Sequence, residues 1–163
     1  MSAAVFIRPR SALILPERVV IFFFLLCGSL GSRFHVFSPP QFSSVRLGFA
    51  ILLGSMLLLS ASGFGRLFLP LEMLCFGSFF QELVQSWYAS STIPAVSKLS
   101  DLLFSSLLFL SVFLAATYGL GASSALRGAL FSGSPSACAR YRQKLSAAAL
   151  CSLISLTGIF YFT

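Results

Sequence analysis

The sequence predicts an all-α, polytopic membrane protein of about five transmembrane helices, and three observations carry that expectation. Of 163 residues, 57% are hydrophobic and 9% are charged, where an ordinary soluble domain carries roughly a quarter charged residues. Mean hydropathy is +0.94. Five apolar runs approach the roughly 20 residues that a helix needs to cross a bilayer core, and basic residues stand between them. Eleven Lys and Arg, four Asp and Glu and one His cannot clothe a water-soluble surface, so residues 1–163 read as a single membrane domain.

The first run, about 19–36, has the apolar core Val19 to Cys27 between Arg18 and Arg33. It is short unless Arg33 snorkels and the helix continues past His35 to Val36. The same stretch has a second reading. A basic start (Arg8, Arg10, Arg18), an apolar core and the small-residue patch Gly28-Ser29-Leu30-Gly31-Ser32 resemble a cleavable secretion signal, although Ala-x-Ala is absent. A mitochondrial presequence is a further option for an acid-poor start, but Pro9 and Pro16 interrupt an amphipathic helix there.

The second run, 47–64, lies between Arg46 and Arg66. The third, 67–88, is less pure, because it contains Pro70, Glu72, Gln81, Glu82 and Gln85. Proline at 70 leaves the carbonyl of Arg66 without its helical donor, so a kinked start around Gly63-Phe64-Gly65 is expected. The fourth run, 102–125, is long enough to cross with tilt, and the fifth is 145–162. Between these last two a basic loop is expected over 127–144, with Gly133, Ser134 and Pro135 in its middle. Small residues along the runs, Gly48 with Gly54 and Ala115 with Gly119, fit close helix packing.

Lys and Arg accumulate in cytoplasmic loops, which gives the runs an orientation. Five crossings with a cytoplasmic N terminus put eight basic residues inside and three outside. If the third run dipped in and returned, five would lie inside and six outside. The first arrangement is expected: a multi-pass protein of the cell (inner or plasma) membrane, C terminus outside, with 127–144 as its main cytoplasmic feature and a retention signal.

Composition removes most chemistry. With His35, Asp101, Glu17, Glu72 and Glu82 as the whole stock of His and acids, few acid–base or metal-ligand sets can form, and no enzyme, catalytic residue, metal or other cofactor is expected. The net charge of +7 would point to nucleic acid in a soluble protein. Here the basic residues flank apolar runs, so no nucleic-acid partner is implied; the expected partners are the lipid bilayer and other membrane proteins, or further copies of the chain. Cys27, Cys75, Cys138 and Cys151 form no C-x-x-C pair and read as small apolar residues. Gly121-Ala122-Ser123-Ser124 resembles the serine motif of rhomboid proteases, but its final Gly is missing and no His follows. His35 reads as an interfacial residue.

The candidate binding residues lie in the third run. In a helix, Ser78, Gln81, Glu82 and Gln85 follow i, i+3, i+4, i+7 spacing and share a face, with Glu72 oblique to it nearly three turns earlier. Ionisable groups cost about 2.5–3.5 kcal/mol in a bilayer on insertion scales, so they face protein, a partner or water. Three readings of the stripe stand: an interfacial end near Trp87 and Tyr88, a hydrogen-bonded contact with another subunit, or an ion or solute path through Glu72 and Glu82 in a small permease or transporter subunit.

The order of features resembles a known family. An apolar helix closes on Gly28-Ser29-Leu30-Gly31-Ser32, a second ends in Gly63-Phe64-Gly65, and Leu69-Pro70-Leu71 and Cys75-Phe76-Gly77-Ser78-Phe79-Phe80 follow. A polar break, a long helix, a basic loop and a terminal helix complete a plan similar to that of the stage II sporulation protein M family of bacterial membrane proteins. Glu72 stands where that family is apolar. The resemblance implies a non-enzymatic scaffold or assembly component which, in spore formers, anchors cell-wall-remodelling proteins during engulfment; it supplies no catalytic residues.

Overall fold

The computed structural model describes residues 17–34, 45–89, 95–133 and 135–162, and among them the chain is all helix and short turn. Five helices follow in order: α1 (Glu17–Arg33), α2 (Val45–Ala61), α3 (Gly65–Ala89), α4 (Ala95–Ser132) and α5 (Pro135–Phe162). Three stretches, Gly65–Gln85, Leu102–Phe131 and Pro135–Phe160, are long and apolar enough to cross a membrane, and Arg46–Ala61 is a shorter apolar helix. The first apolar run was expected to reach Val36; α1 ends at Arg33. His35 lies outside the described residues.

The basic loop expected over 127–144 is instead mostly helix, shared between the last turns of α4 and the first turns of α5. Its residues explain this, since Ala, Leu, Arg, Gln and Lys are strong helix formers and nothing before Gly133 or after Pro135 breaks the period. The break itself is narrow. Gly133 takes a left-handed φ of 59°, and its N–H donates to the carbonyl of Ala129 at 2.9 Å. This is the left-handed glycine cap that closes a helix. Pro135 then opens α5, where its missing N–H costs nothing.

The turn from α2 to α3 is equally local. Ser62 Oγ donates to the carbonyl of Leu59 at 2.9 Å and accepts from the N–H of Phe64 at 3.3 Å. The N–H groups of Leu67 and Phe68 both donate to the carbonyl of Phe64, at 2.9 and 3.2 Å. From Gly65 onward α3 runs without interruption through Pro70. Proline at the sixth helical position removes one backbone bond, and the flanking turns hold the helix together across it.

α1 and α3 run parallel, with α2 antiparallel to both, while α4 and α5 form an antiparallel hairpin. α3 packs against α1, α2 and α4. At the centre, Phe49 of α2 meets Phe76 and Phe80 of α3 edge-on, at centroid separations of 5.9 and 6.3 Å, and Phe80 reaches Phe109 of α4 at 5.5 Å. Ile21, Leu25, Met56, Leu69, Met73 and Val112 close around this cluster, all fully buried.

Glycine makes the closest approach possible. A Cβ at Gly28 would overlap the backbone of Leu74, and one at Gly77 would overlap the backbone of Leu25. α1 and α3 therefore cross main chain against main chain, as small-residue helix pairs in membranes do. Gly119 of α4 instead makes room for a side chain, that of Ser60 of α2. The expected small pairs divide: Ala115 and Gly119 are buried, and so is Gly48, but Gly54 faces outward with nothing within 4 Å.

Many large apolar side chains also face outward. Phe131 is 90% exposed, Leu58 75% and Leu107 65%. Apolar surface on this scale suits a lipid or protein neighbour and not water.

Candidate functional site

The polar residues of α3 do not act as one stripe. Ser78 is buried, and its hydroxyl donates to the carbonyl of Cys75 at 2.9 Å within its own helix. Gln81 is half-buried, and its Oε1 accepts a hydrogen bond from Ser29 of α1 at 3.1 Å. Because α1 runs parallel to α3 and ends at Arg33, it covers this face only as far as Gln81. Glu82 and Gln85 lie beyond that cover and are exposed. The side chains of Trp87 and Tyr88 lie outside the described residues.

Glu72 has a different neighbour. Its Oε1 accepts from Ser55 of α2, whose hydroxyl also lies 2.9 Å from the carbonyl of Leu52. One hydroxyl proton thus serves two acceptors. Glu72 Oε2 is buried without a hydrogen-bond partner. Glu72 and Glu82 stand ten residues apart on α3, about 15 Å along its axis, one turned inward to α2 and the other outward.

Other hydroxyls are satisfied within the helices, as an apolar environment requires. Ser60, Ser105 and Ser152 donate to carbonyls three or four residues back, and Ser111 meets Ser155 across the α4–α5 seam at 2.6 Å. Ser123 is the exception: it is fully buried beside Gly65, and its Oγ has no partner.

A second polar region lies at the end where α1 begins and both short turns sit. Arg127 Nε donates to the carbonyl of Gly63 at 2.8 Å, and Tyr141 Oη donates to that of Ala61 at 3.1 Å. Two carbonyls left over at the end of α2 are thereby capped by α4 and α5. The charge, Gly and Pro of 127–144 predict a loop without clefts, whereas the continuous helical period on both sides of Gly133 is the signal for the two helices that form them. At the opposite end Arg46 lies over the ring of Phe160, 5.7 Å from its centroid. Among the described residues no three of His, Cys, Asp and Glu gather into a metal-binding group.

Among the described residues the chain is all helical, three of its helices are long and apolar enough to cross a membrane, and polar side chains tie one helix to the next. No protein-family model, no curated protein and no solved structure matches it.

Proposed function

We propose that the chain is a non-enzymatic, multi-pass protein of the cell membrane that serves as a scaffold or assembly component, the role that the resemblance to the stage II sporulation protein M family implies. All five helices cross, with the N terminus and the basic end cytoplasmic and the C terminus outside. α1 and α2, at 17 residues each, reach about 26 Å; local thinning and the snorkelling of Arg18, Arg33 and Arg46 make up the difference from a core of about 30 Å.

One observation carries this reading. Glu72, Ser78 and Gln81 are engaged within the chain, leaving Glu82 and Gln85 as the members of that set that face outward. A partner or a second copy docks there by hydrogen bonds between helices. A photo-crosslinking residue at 82 or 85 is expected to trap a protein partner, and Glu82→Leu is expected to abolish co-purification while insertion stays normal. Cross-links to lipid alone would sink the contact.

The alternative, a small permease or transporter subunit using Glu72 and Glu82, draws support from the partnerless Oε2 of Glu72. It requires pH-dependent flux in liposomes that disappears when both carboxylates are removed.

A further inference from the structure

The basic end contains two clefts that share one cation. The first, about 260 Å³, lies between α4 and α5, with Gly121, Ser124, Gly128 and Ala137 as small-residue walls and Arg140 and Lys144 at its mouth. The second, about 170 Å³, brings Arg18 of α1 to Lys144 beside Leu114, Thr117 and Tyr118 of α4. Arg140 and Lys144 are four residues apart and so stand on one face of α5. Lys144 leans across to α4 because Gly121 has no side chain: a Cβ there would lie 2.6 Å from Nζ.

Among the described residues no carboxylate lines either cleft, and none pairs with Arg18, Arg140 or Lys144. Among the described residues the only hydrogen bond of Arg140 is a long one, 3.3 Å from Nε to the carbonyl of Ser136, which leaves the rest of the guanidinium fork for a ligand. A fork and a point charge converging on a narrow cleft suit a phosphate group. Apolar surface adjoins the charge, since Leu114 and Tyr118 are 37% and 41% exposed.

We propose that Lys144, with Arg140 on one side and Arg18 on the other, binds the phosphate of an anionic phospholipid headgroup whose acyl chains lie along the exposed face of α4. Basic pockets between transmembrane helices commonly hold such headgroups. The assignment rests on the membrane reading of the chain and is independent of any partner at Glu82.

The test uses the full chain in detergent, titrated with phosphatidylglycerol, phosphatidylcholine or inorganic phosphate, with lipid retention read by native mass spectrometry and protection by thermal melting. Phosphatidylglycerol is expected to bind at least about tenfold more tightly than phosphatidylcholine, with an advantage that shrinks as salt rises. Lys144→Gln with Arg140→Gln is expected to remove that preference. Gly121→Leu, which fills the cleft and keeps every charge, is expected to weaken it similarly, and Arg142→Gln, on the same helix but outside both clefts, to leave it intact. Equal retention of the two lipids by the unaltered chain would overturn the site. An equal loss with Arg142→Gln would reduce it to diffuse attraction and also overturn it. Protection by inorganic phosphate without a lipid preference would overturn the lipid assignment. None of these outcomes depends on the need for detergent, which tests the membrane reading separately.

Discussion

Gly28 of α1 and Gly77 of α3 cross with their main chains in contact, and neither position has room for a methyl group. The neighbours that a Cβ would meet are backbone atoms, which cannot rotate aside, so the helices themselves must separate. Gly77→Ala is expected to destabilise the fold by about 1–3 kcal/mol and to weaken the bond from Ser29 to Gln81. Gly54→Ala, facing open space, is the control and is expected to be neutral or mildly stabilising. Unfolding in detergent micelles compares the two directly; equal effects would deny the crossing any special role.

Glu72 and Ser55 form a half-satisfied polar pair between α2 and α3. Removing one partner of such a pair leaves the other exposed to an apolar setting, whereas replacing the costly member can be harmless. Ser55→Ala is therefore expected to lower stability by about 1–3 kcal/mol. Glu72→Leu is expected to leave it unchanged or raise it. A large loss of stability in Glu72→Leu would mean that the carboxyl group holds the two helices together and is not merely tolerated.

Ser123 presents a simpler case. Its hydroxyl is buried and partnerless beside Gly65, so Ser123→Ala removes a desolvated group at no loss of hydrogen bonding. A gain of up to about 1 kcal/mol is expected in chemical denaturation. A loss would mean that a water or a backbone group satisfies Ser123 in the membrane.

The two turns at the basic end can be perturbed separately. Gly133 needs its left-handed conformation, so Gly133→Ala is expected to cost about 1–2 kcal/mol. Arg127→Gln removes the bond to the carbonyl of Gly63 and Tyr141→Phe the one to Ala61. Each is expected to cost about 0.5–1.5 kcal/mol, and the two together to increase proteolysis at the α2–α3 turn. Unchanged cleavage in the double variant would show that the turn is held by its own Ser62 contacts.

Helix number and order were legible in the sequence because apolar runs bounded by Arg and Pro mark their own ends. Residues 127–144 combine charge, Gly and Pro and so look like a loop, although α4 continues to Ser132 and α5 begins at Pro135. The α3 stripe was legible as a face, since 78, 81, 82 and 85 follow helical spacing. Which part of that face would be covered was not: that depends on α1, whose parallel course and end at Arg33 are long-range facts absent from the local pattern. Glu72 stood apart from the stripe in both readings, and its partner Ser55 lies on another helix, where periodicity carries no information. The patch from Gly28 to Ser32 also has a secondary reading as a processing signal, because that use and a close helix face favour the same small residues.

The partnership of α1 with α3 also sets an order of events during synthesis. Gly28 leaves the ribosome 49 residues ahead of Gly77, a delay of roughly 2–10 s at ordinary elongation rates. Through that interval the glycine face of α1 lacks the helix it finally packs against. α4 ends at Ser132 and α5 begins at Pro135, so these two can pair as soon as both emerge. A newly made chain therefore passes through a stage in which α1 is complete but has not yet met α3.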